Sequence, residues 1–314
     1  MKKKYLKTCI SVLAVTAVLL SACGGPQQKN VGKTTMETAK LADSIRKKYN
    51  EKYEYADPIR GVARDERLKL KMGFDIMNAG FTEYTQIAML TVETAILKVL
   101  EEMDRRPDVA AGLSLGEYAA LAAADVMDLK DLFYCVRQRG IFMQEAVPVG
   151  GAMTAVLELD SETIAQACGE IDGMVSVANY NCPGQTVITG EEAAVNAAAE
   201  KLKAMGAKRC VPLKVSGPFH SPMLSGAGEK LGEVLEKITL KKIAVPYLSN
   251  VTADYVTDTA QIKELLVKQV SNSVRWQQCV ERMIADGVDT FVEIGPGKSL
   301  SGFMRKINRD VTVI

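Results

Sequence analysis

Apolar residues recur every three to four positions in several stretches of the chain, a spacing typical of helices that pack one face on a core. The longest stretch covers residues 84–102 and ends before Arg106-Pro107. Other helices are predicted over residues 36–49 and over the alanine-rich residues 116–124. The core face expected for the longest helix consists of Ile87, Leu90, Ile96 and Leu100.

Short apolar runs alternate with these helical stretches. Strands are predicted over residues 108–113, 245–248 and 290–294, and further helices around residues 231–238 and 276–285. Alternating strands and helices favour an α/β fold with a mostly parallel sheet. The turn between strand 108–113 and helix 116–124 places Ser114 at a strand-to-helix junction.

The middle of the chain follows another order: strand, helix, strand, strand, helix, strand. This βαββαβ order is ferredoxin-like and predicts a subdomain over residues 151–213, inserted in an α/β domain made of residues 24–150 and 214–314. Its second helix should end at Gly206, a natural C-cap. The predicted elements cover residues 152–157, 161–168, 174–178, 185–189, 191–205 and 209–215, with Val195, Ala198, Leu202 and Met205 on the core face of the second helix.

The N-terminus has the pattern of a bacterial lipoprotein signal over residues 1–23. Several lysines precede an apolar run over residues 10–20, and Leu20-Ser21-Ala22-Cys23 closes it. The run is short for a membrane span, so a cleaved signal with Cys23 as lipid anchor is predicted. An alternative stays open: the run is rich in valine, isoleucine and threonine, which also suits a buried first strand.

Composition narrows the classes of function. The 39 Lys and Arg residues nearly balance the 38 Asp and Glu residues, so the chain offers no general attraction to nucleic acid. Of the seven cysteines, the five beyond Cys23 are scattered and lack the spacing of a metal or redox site. They are predicted to be reduced core residues, which suits the cytosol better than an exported location.

Candidate chemistry centres on one serine and one histidine. Gly112-Leu113-Ser114-Leu115-Gly116 fits the G-x-S-x-G nucleophile elbow, in which glycines leave room for a strained turn. His220 is the only histidine of the chain and lies in a loop constrained by Pro218 and Pro222. A serine–histidine mechanism is therefore a hypothesis about this single pair.

Five segments, taken in order and spacing, resemble the malonyl-CoA:acyl carrier protein transacylases, an acyltransferase family. The resemblance covers roughly residues 73–314. It implies a hydrolase-like α/β domain with a ferredoxin-like insertion, in agreement with the pattern above. The segments begin at Asp108 (DVAAGLSLGEY), Arg137 (RQRGIFMQ), Asn181 (NCPGQ), Gly217 (GPFHS) and Glu293 (EIGPG).

The resemblance implies a role for each matching residue. Ser114 would carry the malonyl ester, His220 would act as the base, and Arg139 would pair with the malonyl carboxylate. Further roles implied are an oxyanion N–H from Leu115, substrate contacts from Phe219 and Asn181, and a backbone carbonyl of Asn272 that orients the histidine. The family needs no cofactor or metal, acts on malonyl-CoA and acyl carrier protein in the cytoplasm, and is monomeric.

One family feature is missing from the sequence. The Gly-Gln-Gly turn that completes the oxyanion hole has no counterpart, and the nearest candidates are Gln27 and Gln28, directly after Cys23. Two other functions therefore stay open: an exported serine esterase, and a membrane-anchored lipoprotein that keeps an impaired transferase scaffold. The signal argues for the membrane, whereas the substrates argue for the cytoplasm.

Overall fold

The computed structural model describes residues 7–13 and 82–314 of the chain. Several predicted features lie outside these residues: the helix over 36–49, the anchor Cys23, and the candidate oxyanion donors Gln27 and Gln28. No helix among the described residues has the length and apolar character needed to cross a membrane.

One of the two sheets of the described residues is parallel. Its strands are β1 (Lys7–Leu13), β2 (Val109–Leu113), β7 (Val288–Ile294) and β8 (Thr312–Val313), in the order β2-β1-β7-β8. β2 is buried along its whole length, as expected of a strand covered on both faces. The strand predicted over 245–248 is reduced to two isolated bridges, in which Tyr247 pairs with Ala110 and Leu248 pairs with Tyr255.

β1 lies between β2 and β7 and pairs in parallel with both. Residues 7–13 therefore form a strand that overlaps the start of the run over residues 10–20, for which the sequence left a first strand open as the alternative to a signal; the rest of that run lies outside the described residues. A strand with neighbours on both sides satisfies its backbone hydrogen bonds twice over, so its loss would leave two unpaired edges.

The described residues contain nine α-helices, distributed from residue 82 to residue 307. Two of them, Leu129–Ala146 and Ile262–Ser271, were not among the predicted elements, and both contribute to the site below. In chain order the helices are α1 (Thr82–Glu102), α2 (Gly116–Ala123), α3 (Leu129–Ala146), α4 (Ser161–Gly169), α5 (Glu192–Ala204), α6 (Ser225–Glu236), α7 (Ile262–Ser271), α8 (Trp276–Ala285) and α9 (Ser299–Ile307).

The inserted segment forms its own antiparallel sheet in the order β4-β5-β3-β6. Its helices α4 and α5 cover this sheet, with Ile164, Val195 and Leu202 fully buried against it. The predicted βαββαβ order is confirmed, although Met205 is 44% exposed and does not belong to the core face. The strands are β3 (Gly151–Leu157), β4 (Val175–Cys182), β5 (Gln185–Glu191) and β6 (Arg209–Pro212).

The buried face of α1 differs from the predicted one. Ile87, Ile96 and Leu100 are only half-buried, and of the predicted face Leu90 alone is fully enclosed. The helix is rotated because it buries polar side chains that a hydrophobic pattern assigns to solvent. The buried residues of this helix include Thr82, Gln86, Met89, Leu90, Glu93, Thr94 and Leu97.

Candidate active site

Ser114 stands at the sharp turn between β2 and α2. Its φ of 55° lies in the left-handed region that non-glycine residues rarely adopt. The turn is possible because Gly112 has no side chain: a Cβ there would lie 1.9 Å from the carbonyl carbon of Gly116. The sequence motif therefore reflects a real close approach of two backbone segments.

Asn250 holds this turn from the other side. Its Oδ1 accepts a hydrogen bond from the Ser114 backbone N–H at 2.6 Å, and its Nδ2 donates to the Gly112 carbonyl at 2.7 Å. One buried side-chain amide thus hydrogen-bonds to two main-chain groups of the strained turn. The sequence offered no pointer to Asn250, because an asparagine in a loop is common.

His220 is hydrogen-bonded to the serine. Its Nε2 lies 2.7 Å from Ser114 Oγ, and its Nδ1 lies 2.8 Å from the main-chain oxygen of Gln269. Since a carbonyl can only accept, Nδ1 carries the proton and Nε2 is free to accept the serine proton. Burial, helped by the nearby Arg139 cation, lowers the pKa of His220 to about 3, which keeps the ring neutral.

The carbonyl that orients His220 is that of Gln269, three residues before the expected Asn272. The ring approaches α7 along its last turn, where main-chain oxygens are free of helical hydrogen bonds. The Asn272 backbone adds a weaker effect that favours the charged ring, while its exposed side chain donates to the Lys268 carbonyl. Gln269 therefore supplies the carbonyl that is hydrogen-bonded to the ring, beside the Asn272 backbone that the resemblance implied.

Arg139 comes from α3 and is 1% exposed. One of its terminal nitrogens lies 3.3 Å from Ser114 Oγ and 3.0 Å from Gln269 Oε1, and the other lies 2.5 Å from Gln86 Oε1. The guanidinium also stands over the Tyr118 ring at 5.5 Å. A buried cation beside the nucleophile is a ready partner for an anionic group on the substrate.

Two buried residues that sequence reasoning did not single out complete the surroundings. Glu117 accepts hydrogen bonds at Oε2 from the Asn250 N–H at 3.1 Å and from Gln269 Nε2 at 2.7 Å. Burial raises the pKa of its carboxyl to about 7 against the opposing effect of these hydrogen bonds. A signal did exist for Gln269, because it lies on the buried face of α7 with Ile262, Leu266 and Val270 at helical spacing.

The remaining predicted residues have different positions. Leu115 is the N-cap residue of α2, and Phe219 is buried next to His220. Asn181 is buried in β4 with its Oδ1 unpaired, and no hydrogen bond of the described residues joins it to Ser114. Within residues 82–314 no cluster of His, Cys, Asp and Glu could hold a metal ion, and the five cysteines are free thiols, four of them buried.

A parallel α/β sheet, a serine on its strand–helix turn, a neutral histidine within hydrogen-bond distance and a buried arginine beside both define a serine acyl-transfer enzyme. The sequence profile of the acyl transferase domain family matches residues 62–309. The chain belongs to this family.

Individual relatives agree with this assignment. The malonyl CoA-acyl carrier protein transacylase of Bacillus subtilis is 46% identical over 259 residues, covering 80% of this chain and 82% of that protein. A Staphylococcus aureus protein of the same name is 43% identical over 236 residues, covering 74% and 76%.

Solved structures give the same result at the level of the fold. The crystal structure of MCAT from Streptococcus pneumoniae has a TM-score of 0.75 and 35% identity, and covers 98% of this chain and 95% of that one. A type II PKS acyl-carrier protein in complex with its malonyl-transacylase also has a TM-score of 0.75, with 34% identity over 98% and 94% of the two chains.

Proposed function

We propose that this chain moves a malonyl group from coenzyme A to the phosphopantetheine thiol of acyl carrier protein, through an ester on Ser114, as a step of fatty acid biosynthesis. The observation that carries the proposal is the contact of Ser114 Oγ with both His220 Nε2 and the Arg139 guanidinium. The names of the relatives support the choice of malonyl and acyl carrier protein.

In the first half-reaction, the Ser114 hydroxyl attacks the thioester carbonyl of malonyl-CoA. His220 takes the hydroxyl proton at Nε2, the carbon–sulfur bond breaks, and the coenzyme A thiolate leaves with the proton that His220 returns. The negative charge on the carbonyl oxygen develops at the N-terminus of α2, where the Leu115 N–H is a suitable donor. Gln27 or Gln28 is the proposed second donor.

In the second half-reaction, the thiol of acyl carrier protein attacks the seryl ester. His220 accepts the thiol proton, the ester carbon–oxygen bond breaks, and Ser114 recovers its proton. The enzyme ends as it began, and no cofactor enters either step.

Arg139 sets the substrate class in this proposal. Its guanidinium would pair with the free carboxylate of the malonyl group, and Phe219 and Asn181 would line the same acyl site. An ordinary esterase has no use for a buried cation 3.3 Å from its nucleophile, so the contact favours transfer of an acidic acyl group over simple ester hydrolysis.

The decisive experiment is the trapping of the acyl-enzyme. Incubation with radiolabelled malonyl-CoA should label one serine per chain, and acyl carrier protein should then remove the label. The Ser114→Ala variant should stay unlabelled, since the Ser114 hydroxyl is the one that contacts Nε2 of the single histidine in the described residues. Labelling of that variant would overturn Ser114 as the nucleophile.

We also propose that the N-terminus of the precursor has two alternative outcomes: lipid attachment at Cys23, or incorporation of β1 into the sheet. The motif ending at Cys23 supports lipid attachment, but cleavage before Cys23 would remove β1 from between β2 and β7. Lipidated chains should therefore lack transferase activity. Membrane and cytosolic fractions of wild type and of Cys23→Ala, assayed side by side, test this; equal specific activity of lipidated and unmodified chains would contradict it.

A further inference from the structure

Three fully buried polar side chains lie directly behind the serine–histidine pair: Glu117, Asn250 and Gln269, here called the buried brace. They come from α2, from the loop that follows Tyr247, and from α7 respectively. None of them bonds to a reacting atom. Burying three such groups is costly unless each is hydrogen-bonded, so the way in which they are paired is informative.

Gln269 contacts every member of the candidate catalytic group. Its main-chain oxygen accepts from His220 Nδ1 at 2.8 Å, and its Oε1 accepts from Arg139 at 3.0 Å. Its Nε2 donates to the Ser114 carbonyl oxygen at 2.9 Å. The orientation of this one residue is therefore coupled to the nucleophile, the base and the cation.

Glu117 joins Gln269 to the support of the nucleophile. Its Oε2 accepts from Gln269 Nε2 at 2.7 Å and from the Asn250 N–H at 3.1 Å. Asn250 in turn holds the Ser114 N–H and the Gly112 carbonyl. A single carboxylate oxygen thus links Asn250, which holds Ser114, to Gln269, which holds His220.

We infer that Glu117 is a positioning residue that sets the distance between Ser114 and His220 by holding Asn250 and Gln269 on one oxygen. The inference rests on the proposed function, since it concerns the same acyl transfer. Its physical basis is the steep dependence of proton transfer on geometry, in which a displacement of about 1 Å costs roughly 100-fold in rate.

The test compares Glu117→Ala with Glu117→Gln in single-turnover acylation by malonyl-CoA. The glutamine keeps a carbonyl oxygen that accepts both N–H groups, so we expect nearly normal rates. The alanine variant should acylate about 10-fold to 100-fold more slowly at saturating malonyl-CoA, with KM nearly unchanged because Arg139 is untouched. Melting temperature and the final labelled fraction show how much of each variant is folded.

A purely structural Glu117 gives another pattern. It would lower the melting temperature or the labelled fraction while leaving the rate per labelled site at the wild-type value, and this outcome would overturn the inference. Equal rate losses in the alanine and glutamine variants would overturn it too, because the glutamine should rescue a positioning role.

Gln269→Met is a second variant for the same acylation measurement, and it tests the inference if Glu117→Ala fails to fold. Methionine fills a similar volume without the amide, so slow acylation is expected, and a normal rate would overturn the inference. Combining Gln269→Met with Glu117→Ala should cost little more than Gln269→Met alone, whereas multiplied losses would show independent roles. Absence of labelling in the wild type would reject the proposed function instead.

Discussion

The nucleophile and the base are held by different kinds of structure. Ser114 is fixed by its own backbone: a left-handed φ, two glycines in close approach and an asparagine on the main chain. His220 also has a left-handed φ, of 58°, but its imidazole ring is held from outside, by a main-chain carbonyl of α7 and by the Ser114 hydroxyl.

This difference predicts which substitutions should disturb Ser114 and which should disturb His220. A group held by its main chain is sensitive to side chains added where backbone segments approach closely, and such substitutions affect folding as well as activity. A group held by side-chain and carbonyl contacts can be misplaced while the fold stays intact, so its defects should be seen mainly in rates.

The largest effect is expected on the base side. His220→Ala should slow acylation by about 100-fold to 10,000-fold, the range for a lost general base, with the fold preserved. Stopped-flow measurement of the acylation burst is the readout, and far-ultraviolet circular dichroism is the control. A burst at the normal rate in this variant would remove His220 from the mechanism.

Donor choice is the next largest effect. Arg139→Ala should lower kcat/KM for malonyl-CoA about 100-fold relative to acetyl-CoA, because the acetyl group has no carboxylate to pair with. Lys130→Ala, which removes an exposed cation from the same helix, is the matched control and should leave kcat/KM unchanged for both donors. Equal losses for both donors would make Arg139 a structural residue.

The backbone side is tested by Gly112→Ala. The added methyl would stand 1.9 Å from the Gly116 carbonyl carbon, so the turn must open. We expect a loss of about 1–3 kcal/mol in the free energy of unfolding together with slow acylation. Gly169→Ala, where a Cβ meets nothing within 4 Å, is the control, and equal stability of the two variants would contradict the backbone account.

The smallest effect is a shift in pH dependence. His220 acts as a base only while neutral, and after burial the Arg139 cation is the main cause that lowers its pKa. Arg139→Gln removes that cation, so the pKa of His220 should rise and the acid limb of acylation should move to higher pH. Because His220 is the only histidine, its imidazole resonance reports the shift directly, and an unmoved resonance would contradict it.

Much of this arrangement could be predicted from the sequence, and the exceptions have physical reasons. The elbow around Ser114 is local, so five consecutive residues encode it. The order of the inserted subdomain is also local, because each element has its own periodicity. The rotated face of α1 was missed because Gln86 is buried by its contact with Arg139, more than 50 residues away.

The carbonyl of Gln269 was missed for a related reason. A main-chain oxygen has no side-chain signature, so only the fold shows that α7 brings the Gln269 carbonyl to His220. Glu117 lies next to the elbow motif, yet a glutamate near a helix start is usually an exposed, dipole-favoured residue. Its role as an acceptor for two distant N–H groups depends on contacts across the fold.

The position of β1 has a consequence for how the protein is made. Residues 7–13 pair with residues 288–294, so the central ladder of the sheet joins segments from nearly opposite ends of the chain. Such pairing must wait until the ribosome has released the later strand, and contacts of this sequence separation slow folding. During that interval residues 7–13 lack both of their strand neighbours in the sheet, so the sheet is completed only after residues 288–294 have been synthesised.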